Sequence, residues 1–379
     1  MPQSPEITQQ NWFQRNPKKT LALFVGVALL LIVCAAEKIL QIYNHHHGVY
    51  LETNPRYIRL REYRPLTRVP LPCPRNYQPR EGQDRRKTYR INVDRDGFIM
   101  PSRKYAHPDV SLVFLGGSTT ECIFVAEKNR FPYLAGVILE RETGKKINSY
   151  NGAMAGNNSL NAIDILVNKV IPLKPRVVVF MENINDLATL LHLGTYWNNS
   201  SRSPIETLDK KKWVGKLLKE ICIPNLNYAY RNLKDALLPE RRDEFAAARG
   251  KKLQVDRAWL NREFAMNLQT IVDICQVRGI TPVLMTQASR ITAHPEKEVV
   301  DFFSHLLRRT GLNYRDLEGL YGSFNETIRQ VAQQNQIPVI DLARKIPPNQ
   351  TYIFDPVHLN DTGSKYAASL IAAKLKSLI

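Results

Sequence analysis

The chain has few cysteines and little glycine or proline for its 379 residues, and each shortage excludes a class of protein. Its five cysteines form no CxxC pair and have no histidine at metal-ligand spacing, which argues against a structural zinc site and a disulfide-dense scaffold. The 18 glycines and 23 prolines are too few for a collagen-like or linker-dominated chain. The length suits one large domain with appendages or two ordinary domains, and we predict neither a metal nor a cofactor.

Acidic residues are also scarce, because 35 Asp and Glu face 53 Lys and Arg, which gives a formal charge of +18. No recognisable nucleic-acid-binding module accompanies this charge, so we expect no nucleic-acid partner. A basic surface can instead face an anionic bilayer or an acidic polysaccharide. A solvated surface without a specific partner explains the charge equally well.

The longest apolar run lies near the N-terminus, where residues 20–36 read TLALFVGVALLLIVCAA. Ile39 and Leu40 extend it beyond one charged pair. A membrane core of about 30 Å needs roughly 17 to 25 helical residues, and a buried helix of a soluble protein would carry polar residues on one face. This run carries none, so it predicts a membrane-spanning helix.

The charges around this run predict its orientation. Arg15, Lys18 and Lys19 precede it, which favours a cytoplasmic N-terminus by the positive-inside rule. We therefore predict a cytoplasmic tail over residues 1–19, a signal-anchor helix over 20–40, and an extracytoplasmic remainder anchored by a single pass in the cell inner membrane. A cleaved secretory signal is the alternative, since the run ends in small residues that loosely resemble a cleavage site.

Beyond the apolar run, residues 41–107 are rich in Arg, Pro and Tyr without a sustained period, which predicts a basic membrane-proximal linker that becomes ordered near YRINVDRDGF at 89–98. From residue 108 to residue 379, short apolar runs alternate with helical patterns, as in a parallel sheet covered by helices on both faces. The predicted strands are VSLVFL at 110–115, INSYN at 147–151, VVVFM at 177–181, PVLMT at 282–286 and PVIDL at 338–342, and the predicted helices cover 131–141, 159–169, 321–334 and 361–378.

The alternation breaks between residues 195 and 262, which are polar, basic and helix-prone. We interpret this stretch as an insertion on the carboxyl side of the sheet, where loops build binding sites. A helical decoration that only supports the fold is equally compatible with the pattern.

Ligands of such sheets bind beyond the carboxyl ends of the strands, so the residues that follow each apolar run are the candidates for chemistry. Four segments stand out there: GGSTTE at 116–121, NGAMAGN at 151–157, ENINDL at 182–187 and FDPVH at 354–358. None has the GxGxxG or Walker pattern of a nucleotide-binding loop. Taken singly each is weak, because Ser118 or Asn185 could merely cap a helix.

Together the four segments meet the requirements of acyl transfer. A serine is a poor nucleophile unless a positioned base takes its proton, and an acceptor must hold that base in the correct tautomer. Ser118, His358 and Asp355 can fill these roles. The backbone N–H groups of Ser118 and Gly156 and the side-chain amide of Asn185 could donate to the oxyanion.

The order of GGSTT, NGAMAG, NIND and DPVH along this chain resembles the SGNH/GDSL hydrolase superfamily, over about residues 108–379. The resemblance implies an α/β, flavodoxin-like three-layer α/β/α fold with a mainly parallel five-stranded sheet, and ester hydrolysis through a Ser-His-Asp triad. Ser118 matches the nucleophile, Gly156 and Asn185 the oxyanion donors, and Asp355 and His358 the triad partners. The sequence departs from the family pattern where GGS replaces GDS and where NIND replaces GxND. The GxSxG elbow of α/β-hydrolases is absent around Ser118.

Three functional hypotheses follow from these motifs. The first is a membrane-anchored serine esterase that removes an acyl group, with acetyl the expected one, from an envelope carbohydrate or glycolipid. The second is an acyltransferase that uses the same serine to O-acylate a glycan, because only the acceptor differs. The third is a non-catalytic carbohydrate-binding or assembly protein, which has no need for an intact set of catalytic residues. Cys122 is expected to be buried rather than nucleophilic, and a pairing of Cys73 with Cys222 is left open.

Overall fold

The computed structural model describes residues 11–47, 56–72, 88–207 except positions 199 and 201, and 255–379, together with positions 213–215, 226, 227, 230 and 233. These residues fall into two compact units, of which the larger comprises Arg56–Thr207 and Ile223–Ile379. Most of the insertion predicted at 195–262 lies outside the described residues, as do Cys73 and Cys222.

The smaller unit contains two N-terminal helices, α1 (Trp12–Arg15) and α2 (Pro17–His46). Pro17 suits the start of α2, because the first turn of a helix does not need its N–H group. Helix α2 has 30 residues, which corresponds to about 45 Å at 1.5 Å per residue. By length and composition it could cross a membrane, and among the described residues it is the one such helix.

The larger unit contains the nine strands of the described residues. In chain order they are β1 (Arg56–Ile58), β2 (Arg68–Pro72), β3 (Thr88–Asn92), β4 (Val110–Gly116), β5 (Ile147–Asn151), β6 (Val177–Met181), β7 (Ile205–Thr207), β8 (Thr281–Met285) and β9 (Val339–Ile340). Five of them form a parallel sheet in the order β5-β4-β6-β8-β9. Every side chain of β5 and β6 is buried, as expected for strands covered on both faces.

Helices cover both faces of this sheet. The described helices of the unit are α3 (Ser118–Glu121), α4 (Phe131–Thr143), α5 (Ser159–Ile165), α6 (Ile184–Leu193), α7 (Arg257–Val277), α8 (Lys297–Thr310), α9 (Tyr314–Gln334), α10 (Leu342–Lys345) and α11 (Asp361–Leu375). Helices α5 to α9 bury their apolar residues in the core on one face, whereas α4 and α11 do so on the other. The architecture is therefore the three-layer α/β/α fold that the sequence predicted.

The predicted strands and helices are present with shifted ends, and the shifts have local causes. Helix α9 begins at Tyr314 instead of residue 321, because Asn313 and Asp316 form a reciprocal capping box there. The last strand is shorter than predicted. It ends at Ile340, because the side chain of the next residue, Asp341, forms hydrogen bonds with Arg329 and Thr286. Helix α7 begins inside the predicted insertion, so residues 257–262 belong to a helical layer of the fold.

The described part of the predicted linker is folded at residues 56–72 as well as near residues 89–98, where order was expected. Strands β2 and β3 form an antiparallel pair, and Ile91 of β3 belongs with Ile99 to one buried apolar cluster. The N–H of Ile99 donates to the carbonyl of Asn151 at the end of β5, at 2.9 Å. The sequence shows no period here because the strands are short and lie at the margin of the core. Residues 56–72 and 88–107 are therefore part of the same unit as the sheet.

Candidate active site

Ser118 lies at the carboxyl end of β4, next to the centre of the parallel sheet. It is the first residue of α3, so its backbone N–H has no acceptor within the helix. Gly116 ends the strand, and a Cβ added there would lie 2.4 Å from the carbonyl oxygen of Met181. Only glycine fits between β4 and β6 at this point. The turn is therefore determined by the packing of two buried strands.

His358 and Asp355 approach Ser118 from the loop before α11, across 240 positions of sequence. The Nε2 atom of His358 lies 2.8 Å from the Oγ of Ser118, and its Nδ1 lies 2.7 Å from the Oδ2 of Asp355. A carboxylate can only accept, so Nδ1 carries the proton and Nε2 can accept one from the serine. The other oxygen of Asp355 accepts the backbone N–H groups of Val357 and His358, at 2.9 and 2.8 Å.

The two partners of the serine have opposite pKa shifts. Burial lowers the pKa of His358, but the charge and hydrogen bond of Asp355 and the charge of Glu121 outweigh it, so the pKa is raised. Burial raises the pKa of Asp355, but the His358 charge and three hydrogen bonds outweigh it, so the pKa is lowered. Both shifts favour an ionised carboxylate beside an imidazole that readily takes a proton.

The loop after β5, residues 152–158, carries Gly156 and is called the Gly156 loop below. Gly156 has φ +80°, a left-handed conformation that glycine adopts without strain. The N–H of Met154 donates to Gly116 at 3.2 Å, which ties the loop to the end of β4. From α6, the Nδ2 of Asn185 donates to the carbonyl of Asn157 at 2.8 Å. The structure thus brings Gly156 and Asn185 to the turn that presents the serine, and their roles as oxyanion donors stay predictions.

The departure from GDS has a steric reason. A Cβ at Gly117 would lie 2.1 Å from the Nδ2 of Asn185 and 2.7 Å from the Oε1 of Glu182. Glu182 is 1% exposed, and its Oε1 has no hydrogen-bond partner among the described residues. Burial, followed by the charge of Asp186, raises its pKa well above the usual range. The side chains of Asn185 and Glu182 therefore occupy the space that a side chain at position 117 would need.

The departure from GxND also fits the structure. Asn183 has φ −163°, which any residue adopts, so no glycine is required at this position. Its Nδ2 donates to the carbonyl of Tyr321 at 3.0 Å and so joins β6 to α9. Asp186, the next but two along the chain, accepts hydrogen bonds from Ser159 and Tyr196 inside the core.

Sequence reasoning missed three residues around the Gly156 loop: Arg61, Tyr63 and Glu121. Glu121 is 1% exposed and lies three positions after Ser118 on α3. Its pKa is raised to about 7 by burial. The only sequence signal was its place in the GGSTTE segment, and nothing in the sequence linked it to residues 61 and 63.

The described residues offer no group of His, Cys, Asp and Glu that could hold a metal ion. Cys122 is buried, as expected, and burial raises the pKa of its thiol to about 12. A thiol with such a pKa stays protonated at neutral pH and is a poor nucleophile. Among the described candidates, Ser118 is therefore the group best placed for covalent chemistry.

Comparisons with known proteins identify the family of the chain. A model of the GDSL-like lipase/acylhydrolase family matches residues 114–366, more than half of the chain. No curated protein sequence matches the chain. Similar solved structures include a putative GDSL-like lipase from Parabacteroides merdae ATCC 43184, with 12% identity, coverage of 72% of this chain and 97% of that chain, and a TM-score of 0.43. A lipase/acylhydrolase from Enterococcus faecalis has 14% identity, coverage of 71% and 96%, and a TM-score of 0.41. Axe2, an acetylxylan esterase from Geobacillus stearothermophilus, has 16% identity, coverage of 71% and 94%, and a TM-score of 0.39. With its parallel sheet, its ordered motifs and the family match, this chain belongs to the GDSL-like lipase/acylhydrolase family and is a hydrolase.

Proposed function

We propose that the protein is a membrane-anchored serine esterase that removes an acyl group, acetyl being the expected one, from an envelope carbohydrate or glycolipid. The observation that carries the proposal is the chain of hydrogen bonds from Ser118 through His358 to Asp355, at 2.8 and 2.7 Å. This is the arrangement that makes a serine hydroxyl nucleophilic at neutral pH.

In the proposed reaction, the Oγ of Ser118 attacks the ester carbonyl while the Nε2 of His358 takes the hydroxyl proton. Asp355 stabilises the resulting imidazolium. The bond to the leaving alcohol then breaks, and His358 returns the proton to the alcohol oxygen. Water attacks the acyl-enzyme in the same way and releases the carboxylic acid and the free serine. General base catalysis of this kind contributes typically about 10² to 10⁴ in rate.

The oxyanion of each tetrahedral intermediate would be held by the N–H groups of Ser118 and Gly156 and by the amide of Asn185. One hydrogen of that amide is used on Asn157 at 2.8 Å. The nearest other acceptor, the Oε2 of Glu182, lies 3.5 Å from the Nδ2, which is long for a hydrogen bond. A substrate oxyanion would therefore compete for the second amide hydrogen only with this long contact. The raised pKa of Glu182 also disfavours a negative charge beside the oxyanion.

The proposed placement follows from α2 and the charges at its N-terminal end. Arg15, Lys18 and Lys19 favour a cytoplasmic tail over residues 1–19. We propose that α2 spans the inner membrane once and that the hydrolase unit lies on the extracytoplasmic side. Protease added to spheroplasts should then cleave the hydrolase unit, whereas protection there would contradict this topology.

The catalytic part of the proposal is tested by Ser118→Ala. We expect at least about a thousandfold loss of kcat on an aryl acetate with the fold intact, because the covalent step disappears. An exposed serine of α11 gives the matched control, Ser369→Ala, which should keep full activity. A serine-directed probe should label the wild type and the control but not Ser118→Ala. Retained turnover in Ser118→Ala would overturn the serine mechanism.

An acyltransferase would form the same acyl-enzyme and pass the acyl group to a sugar hydroxyl instead of water. Product analysis separates the two reactions. With an aryl acetate and a panel of sugars, an esterase releases acetate at a rate that the sugars do not change. A transferase would form acetylated sugar at the expense of acetate.

A further inference from the structure

The segment between β1 and β2 makes three hydrogen bonds to the Gly156 loop, all of them through Arg61. Arg61 donates from Nε to the Oδ1 of Asn157 at 3.1 Å and from Nη2 to the carbonyl of Ala155 at 3.0 Å. The Nδ2 of Asn157 donates back to the carbonyl of Arg61 at 2.9 Å. The residues on either side of Gly156 are thus both held by one side chain that lies 94 or more positions away in sequence.

The carboxylate of Glu121 makes a second link between the same segments. The hydroxyl of Tyr63 donates to its Oε1 at 2.8 Å, and the backbone N–H of Ala155 donates to its Oε2. Glu121 lies on α3 with Ser118, so a single carboxylate joins the helix of the nucleophile, the Gly156 loop and the segment at residues 61–63.

The ionised form of Glu121 suits both partners. A carboxylate accepts from both, whereas a protonated carboxyl keeps both bonds only if its own O–H donates back to the hydroxyl of Tyr63. Burial raises the pKa of Glu121 to about 7 against the opposing effects of Tyr63, Ala155, Arg130 and His358, which are the groups that face it. Protonation of Glu121 therefore rearranges this link.

We infer that Glu121, Tyr63 and Arg61 are positioning residues that hold the Gly156 loop so that the N–H of Gly156 is aimed at the oxyanion. The inference rests on the proposed function. An oxyanion donor works only within hydrogen-bond reach of the developing charge, and losing one such donor costs about 10² to 10³ in kcat. The segment at residues 61–63 therefore helps to position the catalytic site, although in sequence it lies between the apolar run and the hydrolase motifs.

The test uses the full-length protein. It compares the activity of a variant that lacks the Tyr63 hydroxyl with that of a variant that lacks a tyrosine hydroxyl elsewhere. Tyr63→Phe deletes the bond to Glu121, whereas Tyr105→Phe deletes an equivalent bond to Glu140, at 2.7 Å, on the outside of α4. We expect Tyr63→Phe to lower kcat on an aryl acetate by about 10-fold to 10³-fold with KM unchanged. The upper value corresponds to the complete loss of one oxyanion donor. Tyr105→Phe should keep the wild-type kcat.

The pH profile gives a readout that loss of stability alone would not move. The Tyr63 hydrogen bond lowers the pKa of Glu121, so its removal raises that pKa. Glu121 then carries less charge near neutral pH and raises the pKa of His358 less, so the acid limb of kcat/KM should move to lower pH. Glu121→Gln keeps the shape but removes a charge that raises the pKa of His358, so the acid limb should move to lower pH and kcat should fall. Glu121→Gln also serves if Tyr63→Phe does not fold.

Ser118→Ala measured beside these variants separates the two possible failures. If it is inactive while Tyr63→Phe and Glu121→Gln match Tyr105→Phe in kcat and in pH profile, the positioning inference is overturned and the proposed function stands. If Ser118→Ala keeps its activity, the proposed function itself fails.

Discussion

Replacing Asp355 by Asn should inactivate the enzyme through the tautomer of His358, and the structure indicates which way the new amide would lie. One oxygen of Asp355 accepts two backbone N–H groups, from Val357 and His358, at 2.9 and 2.8 Å. An asparagine keeps both bonds only if its single oxygen takes that position. Its NH₂ group then faces the Nδ1 of His358, which must become an acceptor.

The magnitude follows from this reversal. With Nδ1 as acceptor, the ring proton moves to Nε2, the atom that lies 2.8 Å from the Oγ of Ser118 and should receive its proton. The base is then blocked, and comparable Asp-to-Asn changes in such triads lower kcat by about 10⁴. A factor of 10⁴ corresponds to about 5.4 kcal/mol in the activation free energy. Shape and volume are unchanged, so the protein should still fold.

The assay is kcat/KM on an aryl acetate across pH 6 to 9, with thermal unfolding measured on the same samples. The control is Asp341→Asn, which removes a carboxylate bound to Arg329 and Thr286 outside the predicted site. That variant should lose stability and keep its turnover. A loss smaller than about tenfold in Asp355→Asn would refute the tautomer argument, because His358 would then be oriented by some other acceptor.

Three further results are expected. Asn185→Ala should cost about 2.7 to 4 kcal/mol of transition-state stabilisation if the Asn185 amide donates to the oxyanion. An unchanged kcat would mean that Asn185 only holds the Gly156 loop through its hydrogen bond to Asn157. The acid limb of kcat/KM should have its midpoint above 6.5, because the charges of Asp355 and Glu121 outweigh the effect of burial and raise the pKa of His358; a midpoint below 6 would contradict this. Deleting residues 1–47 should leave an enzyme active on small esters, whereas deleting residues 1–66 should abolish activity, and equal activity of the two proteins would contradict a role for residues 61–63.

The sequence by itself was sufficient to predict the parallel sheet and to predict that the four motifs lie close together. Apolar runs such as VVVFM at 177–181 are local signals, since a strand covered on both faces needs a continuous apolar sequence. In a parallel sheet all carboxyl ends lie at one edge, so motifs that follow successive strands come together whatever their separation. This rule brings Ser118 together with Gly156 and Asn185. The pairing of Ser118 with His358 across 240 positions instead came from the chemistry of the motifs and from their resemblance to the hydrolase superfamily.

Only the tertiary structure decided what surrounds that site. Tyr63 contacts Glu121 across 58 positions and Glu182 occupies the space beside Gly117, and neither contact leaves a period or a motif in the sequence. The raised pKa values of Glu121 and Glu182 come from burial, which is a property of packing and not of residue type. The segment at 56–72 looked like a linker for the same reason, because its order comes from contacts with distant loops and not from its own pattern. Local regularity can be read from a sequence, whereas a contact between two irregular segments exists only once the chain has folded.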